Sequence, residues 1–217
     1  VGCLVTLGGD GTNRAVAKGS SNIPLIPIST GTNNVFATTV EGTVAGMVAA
    51  VIANGVVDIS SVTKVASRLD IQIDNIQRDI ALVDLAVSKE LFIGSRAIWD
   101  ISTIHEIFLA HAELGKIGLS AIGAMLRPST DKNGDGLHIR LGQDGTSVMA
   151  PVAPGIVTHI PIAEWSSLKF GTPVTIHHRP CTIALDGERS MTLSPGQHAT
   201  VTLNHNGPTV VSIEKTL

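Results

Sequence analysis

Tyrosine is missing from this chain, cysteine occurs only twice, and lysines and arginines nowhere gather into a stripe. The missing basic stripe excludes a nucleic acid or a membrane surface as partner, because both bind through clustered positive charge. A formal net charge of −3 points the same way. Cys3 and Cys181 lie far apart inside apolar runs. They read as buried free thiols of a reducing compartment, not as a disulfide framework. No apolar run reaches membrane-spanning length and the opening residues do not read as a signal peptide, so the expected location is the cytoplasm. Aromatics make up 3% of the chain, and Trp99 and Trp165 read as core or interface anchors. What the chain does have is apolar bulk: 43% of its residues against 15% charged, over a length of 217. That suffices to bury the core of one large domain or two small ones.

Val1 is not a methionine, and the strand pattern Cys3 to Leu7 begins almost at once. A parallel strand buried on both faces needs neighbours. The expectation is that upstream residues are missing or that another subunit supplies their surface. Exposed strand edges favour self-association, so a homo-oligomer is expected.

Two periodicities divide the chain. Residues 1–60 read as α/β: a strand Cys3 to Leu7, a short helix Thr12 to Gly19, and a second strand Ile23 to Ile28, weakened by Pro24 and Pro27. A helix follows over Thr43 to Ala53, with Val44, Met47, Val48, Val51 and Ile52 on one face and Gly55 as its cap. Residues 61–217 turn to period two and predict a β-sandwich or layered sheet, and a return of the last residues to the α/β portion stays open. Strands are predicted at Leu69 to Ile73, Asp79 to Ser88, His138 to Leu141, Val174 to His177, Thr182 to Leu185, Ala199 to Leu203 and Val210 to Ile213, with one helix near Leu119 to Leu126.

Between the first strand and helix lies Gly8-Gly9-Asp10-Gly11-Thr12. Glycines let a backbone turn sharply and approach a ligand, and N–H groups at a helix start favour phosphate. A carboxylate there would repel a phosphate. It is better placed to take a proton from an attacking hydroxyl or to help hold a metal. The bland reading is an ordinary strand-to-helix turn.

A second loop, Ser29-Thr30-Gly31-Thr32-Asn33-Asn34, also follows a strand. If the two strands are parallel neighbours, both loops emerge at one sheet edge, where α/β sheets bind ligands. Asn33 can alternatively cap a helix. Late in the chain, Asp186-Gly187-Glu188 reads locally as a hairpin turn. Its carboxylates could orient substrate or a metal only if the fold returns them to the first loop. Asp131 to Gly136 imitates the start of a calcium loop but has Gly142 where the bidentate glutamate belongs, so it reads as a surface loop. His177 and His178 face opposite ways on a strand and cannot easily share a metal.

In their order, these motifs resemble the superfamily of NAD kinases and diacylglycerol-type lipid kinases. The likeness runs through Gly8-Gly9-Asp10-Gly11-Thr12, Gly31-Thr32-Asn33-Asn34, Ala81-Leu82-Val83-Asp84, Gly118-Leu119-Ser120-Ala121, Pro151-Val152-Ala153-Pro154 and Asp186-Gly187-Glu188. Within the ATP-NAD kinase family it is strongest for the branch tied to acetoin catabolism. The resemblance implies a truncated Rossmann-like α/β portion followed by a β-sandwich, with the site between them.

It also implies an ATP-dependent phosphotransferase acting on a ribose hydroxyl of NAD, with Mg²⁺ bridging the phosphates. Asp10 would be the base. Gly8, Gly9, Gly11 and Thr12 would hold phosphate, and Gly31, Thr32, Asn33, Asn34 and Ser120 the nucleotide. Asp84 would take ribose hydroxyls, while Asp186, Gly187 and Glu188 orient substrate or metal. Three departures stand out: Val83 replaces an asparagine, the Ser120 loop lacks its tyrosine, and Glu188 leans toward the lipid-kinase pattern. They keep open a lipid or small-metabolite kinase, and a non-catalytic nucleotide-binding regulatory module.

Overall fold

A computed structural model describes residues 2–89, 101–127, 136–187 and 189–217. In the first portion, β1 (Leu4–Leu7) and β2 (Leu25–Ile28) run parallel, with Leu4 opposite Leu25 and Leu7 opposite Ile28. Parallel neighbours require a crossover, which α1 (Asp10–Ala17) supplies. Both glycine-containing loops therefore leave the same edge of one sheet. The end of the chain returns to this sheet: β14 (Thr209–Val211) pairs parallel with β2 and antiparallel with β3 (Thr63–Val65), giving the order β1-β2-β14-β3.

One face of that sheet is covered by α2 (Gly42–Ala53), whose Ala45, Val48 and Ile52 pack on Ile26, Ile28 and Val211. Val48 and Ile52 of the predicted face are buried, but Ala45 joins them and Met47 stands 52% exposed. Every residue of α2 but Thr43 is apolar or glycine, so periodicity had no polar face to orient it. The Glu41 side chain accepts from the amides of Thr43 and Val44 and caps α2, the role considered for Asn33. Two single-turn helices, α3 (Ile59–Val62) and α5 (Ile213–Thr216), close this portion.

The remainder is two layered sheets. β4 (Arg68–Ile73) and β5 (Ile76–Ala81) form a hairpin whose turn residues Asp74 and Asn75 have φ of 53° and 62°, as a tight two-residue turn requires. With β10 (Pro173–Thr175) and β13 (Ala199–Asn204) they make the order β10-β13-β4-β5. The second sheet contains β6 (Asp84–Ser88), β7 (Ile104–Leu109), β8 (Gly136–Ala153), β9 (Ile156–Leu168), β11 (Cys181–Leu185) and β12 (Arg189–Leu193). Its order is β12-β11-β6-β7-β8-β9. Leu69, Ile71 and Val201 of the first sheet meet Leu85, Phe108 and Ile183 of the second in a shared core. On the outer face of the six-stranded sheet lies α4 (Leu119–Leu126), at its predicted bounds, with Ile122 packed on Ile107, Leu137 and Ile139.

Three expectations are corrected here. Asp79 to Ser88 is not one strand: the chain breaks at Leu82-Val83 and passes from the first sheet to the second. The run is almost continuously apolar, so no local signal marks the break. Cys181 is buried and free, but Cys3 is only half-buried, packed at the margin of the core beneath α2. Trp165 is 39% exposed on the outermost strand β9 and anchors no core. Trp99 and residues 131–135 lie outside the described residues. Among the described residues no helix is long and apolar enough to cross a membrane.

The α/β portion is fastened to the sheets by α1. Ala17, Val35 and Phe36 pack against Leu82 and Val83 at the strand break. Beside them Arg14 reaches Asp79 (3.4 Å) and Asp186 (3.5 Å), and Lys18 reaches Asp79 (2.5 Å).

Candidate functional site

At the end of β1 the chain needs glycine for room. A Cβ on Gly8 would stand 2.6 Å from Thr12 Oγ1, and one on Gly9 2.8 Å from Asn34 Oδ1. Gly9 itself has φ of −89°, an ordinary extended value, so close approach and not a left-handed turn excludes side chains here. Asn13 locks the bend from below. It is fully buried, accepts from the Thr6 hydroxyl (2.6 Å) and donates to the Gly9 carbonyl (2.9 Å). Neither Thr6 nor Asn13 was singled out from the sequence; the signal was a carboxamide on the buried side of the first helical turn.

Asp10 opens α1 and turns its carboxylate onto the second loop. It accepts the amides of Val35 (2.8 Å), Phe36 (3.0 Å) and Ala37 (3.2 Å). Its own amide donates to Asn34 Oδ1 (3.3 Å), and Asn34 Nδ2 donates to Ser29 Oγ (2.7 Å). Burial raises the Asp10 pKa above the usual carboxylate value, outweighing the three amides and Lys116, which lower it. A carboxylate has about four lone-pair directions, so one remains for a ligand.

Asp186 repeats the device. It sits in the β11–β12 hairpin with φ of 47°, followed by Gly187 at 71°. Its carboxylate accepts the amides of Leu82 (3.0 Å), Val83 (2.8 Å) and Asp84 (3.2 Å), pinning the strand break from a hundred residues away. Desolvation pushes Asp186 up to about 7, against the pull of those amides and Arg14. Asp84 goes up to about 8, through desolvation first and then the charges of Asp186 and Asp10.

These carboxylates border one cavity of about 230 Å³, with Asn33, Asn34 and Gly187 beside them and Val35, Leu119, Val152 and Ala184 as apolar wall. A second cavity of about 180 Å³ adjoins it, walled by Ser29, Gly31, Thr32 and Lys116; Asn33, Asn34 and Ile117 border both. The two loops and the late hairpin thus converge. Five predicted residues, Gly8, Gly9, Gly11, Thr12 and Ser120, line neither cavity. The Gly8 amide is spent on the Ile28 carbonyl (3.0 Å), and the Ser120 hydroxyl on the His111 carbonyl (3.1 Å). Gly9, Gly11 and Thr12 stand behind Asp10, outside the lining of both cavities. Glu188 lies outside the described residues. Lys116 was not anticipated; a lone lysine in a glycine-bearing loop carries no spacing signal. Among the described residues no group of three His, Cys, Asp or Glu side chains is placed to hold a metal.

The raised carboxylates set a pH dependence. Between about pH 4, where an unfolded aspartate titrates, and about pH 8, the folded chain keeps protons on Asp84 that the unfolded chain has released. Rising pH therefore favours unfolding over this window. Asp84→Asn is expected to flatten that slope, measured as urea midpoints from about pH 5 to about pH 8. An unchanged slope would contradict the placement.

A glycine bend between parallel strands, a terminal strand returning to the same sheet and a layered β portion define an NAD kinase-like fold. Yeast NADH kinase, solved in complex with NADH, matches 98% of this chain and 62% of its own at 15% identity, with a TM-score of 0.52. An NAD kinase from Archaeoglobus fulgidus, in complex with ATP, matches 99% and 79% at 17% identity, with a TM-score of 0.49. Residues 1–56 match the ATP-NAD kinase N-terminal domain, and residues 67–206 the Acetoin catabolism protein X C-terminal domain. The chain belongs to the acetoin catabolism protein X family. It is 37% identical over 211 residues to Acetoin catabolism protein X of Cupriavidus necator, covering 94% of this chain and 59% of that relative. It thus spans less than two thirds of the relative's length.

Proposed function

We propose that the chain carries the active site of an ATP-dependent phosphotransferase of NAD-kinase type, acting on a ribose hydroxyl of NAD or a related nucleotide in acetoin-linked metabolism. The observation that carries this reading is Asp10: a carboxylate with one free acceptor position, raised by burial, at a cavity between two loops. In the reaction the acceptor hydroxyl gives its proton to the Asp10 carboxylate. Its oxygen bonds to the terminal phosphorus, the bond from that phosphorus to the bridging oxygen breaks, and ADP leaves. Asp84 holds the neighbouring sugar hydroxyls, and Asn33 and Asn34 face the nucleotide. The complex of yeast NADH kinase, a similar fold, with NADH supports a nucleotide as ligand.

Among the described residues no three-ligand group is available, so a Mg²⁺ would be held chiefly by substrate phosphates, as this ion commonly is, beside Asn33 and Asn34 on the wall shared by the two cavities. When bound it neutralises phosphate charge. The reading includes a cytoplasmic location and self-association as a homo-oligomer.

Two other readings each have an observation behind them. Val83 is buried in the junction core and offers the base no polar contact, which favours a lipid or small-metabolite hydroxyl as acceptor. Asp10 and Asp186 both serve as backbone clamps, which a non-catalytic nucleotide-binding module would equally need. A screen with labelled ATP against NAD, diacylglycerol and small polyols separates these. Transfer to NAD is expected; transfer only to another hydroxyl selects the second reading, and nucleotide binding in calorimetry without any transfer selects the third.

A further inference from the structure

The two adjoining cavities differ in sign. The larger is bordered by Asp10, Asp84 and Asp186, and the smaller by a single charged side chain, Lys116. Its ammonium donates to the Asn34 carbonyl (3.3 Å) and lies near enough to Asp10 to favour that carboxylate's ionisation. Gly115 and Gly118, at φ of 84° and 91°, let the loop present Lys116 there. Beside it stand the hydroxyl-bearing Ser29, Thr32 and Thr39, with no carboxylate on that wall.

We propose that Lys116 and the Ser29–Asn34 loop form the phosphate subsite of the cleft, and that the carboxylate-lined cavity takes the uncharged, hydroxyl-bearing part of the acceptor. Which phosphate compound fills the subsite rests on the phosphotransferase reading; the subsite itself rests on the charge separation. A phosphate in the larger cavity would face three aspartates, whereas carboxylates there accept hydrogen bonds from hydroxyls. An ammonium is a strongly hydrated point charge with three donors, suited to a phosphate oxygen arriving from solvent. Asn33 and Asn34, on the wall common to both cavities, then stand where phosphate and acceptor meet. Lys116 is a binding residue in this assignment.

The test uses the intact protein with Lys116→Met, which keeps the aliphatic stem, and Lys116→Arg, which keeps the charge. Calorimetry is run with inorganic tripolyphosphate, ATP and adenosine. Losing one charge-assisted hydrogen bond is expected to weaken tripolyphosphate and ATP by about tenfold or more and to leave adenosine unchanged. Arginine is expected to restore most of the affinity, and the salt dependence of tripolyphosphate binding is expected to shrink in the methionine variant. Unchanged tripolyphosphate affinity in Lys116→Met, or no binding of tripolyphosphate by the unmodified protein, overturns the subsite. If the unmodified protein transfers phosphate and Lys116→Met leaves the KM for ATP unchanged, the subsite falls and the reaction stands. If tripolyphosphate binds through Lys116 but no acceptor is phosphorylated, the reaction falls and the subsite stands.

Discussion

Replacing Asp10 with asparagine is expected to lower phosphoryl transfer by about 10²–10⁴-fold, the usual contribution of a positioned base, while ATP affinity changes little. The asparagine side chain has the same shape, so the Gly9 approach to Asn34 and the start of α1 are preserved. Its oxygen can still accept from the 35–37 turn, but its NH₂ faces an amide that the lost oxygen had accepted. Leaving one buried amide without a partner costs about 1–3 kcal/mol, a few degrees of melting temperature for a chain of this size. Activity is therefore compared well below both melting points.

The pH profile separates a base from a clamp. If Asp10 takes the proton, turnover of the unmodified protein rises with pH through its raised pKa, and that limb disappears in the variant. A purely structural clamp would lower stability and leave the shape of the profile intact. Turnover within a few-fold of the unmodified protein would remove Asp10 from the chemistry.

What could be read from residues alone follows the range of the interactions. The strand–bend–helix around Asp10 is local: an apolar run, glycines and a helical pattern within twenty residues, so its elements stand where expected, shifted by about two residues. The parallel pairing of β1 and β2 followed from the crossover, and α4 from its own periodicity. β7 and β9 went unrecognised. In β7 a register shift opposite Val87-Ser88 disturbs alternation, and in β9 Pro161 and a largely solvent-facing course blur it. The Asp186 segment is instructive because its local reading as a hairpin turn is what the backbone shows. Its second role, gripping residues 82–84, depends on amides a hundred residues away, which carry no side-chain signature. Lys116 escaped for the same reason: its ammonium donates to the carbonyl of Asn34, 82 positions earlier.

The largest stability effect is expected from Asp186→Ala. This change strips the acceptors from three successive amides, two of them buried, and takes from Arg14 one of its two carboxylate partners. Leaving buried amides without an acceptor costs about 1–3 kcal/mol each, so a loss of about 3–5 kcal/mol is expected, which lowers the melting temperature by roughly 6–20 °C at this chain length.

The loss has a sign with pH. Asp186 titrates near 7 when folded, so the unmodified protein loses stability as pH rises toward that value, while alanine has nothing to ionise. The gap between the two proteins is expected to be widest near pH 5 and to narrow toward pH 8. Activity should fall with it even though Asp186 need not touch a reacting atom. The 82–84 break carries Asp84 into the cavity, and without its clamp Val83 loses its seat against Val35 and Phe36. Asp186→Asn keeps one carbonyl acceptor and is expected to recover part of the stability. Thermal melts of the three proteins across that pH range check the argument; an alanine variant that melts with the unmodified protein would show that the late hairpin does not hold the two portions of the cleft together.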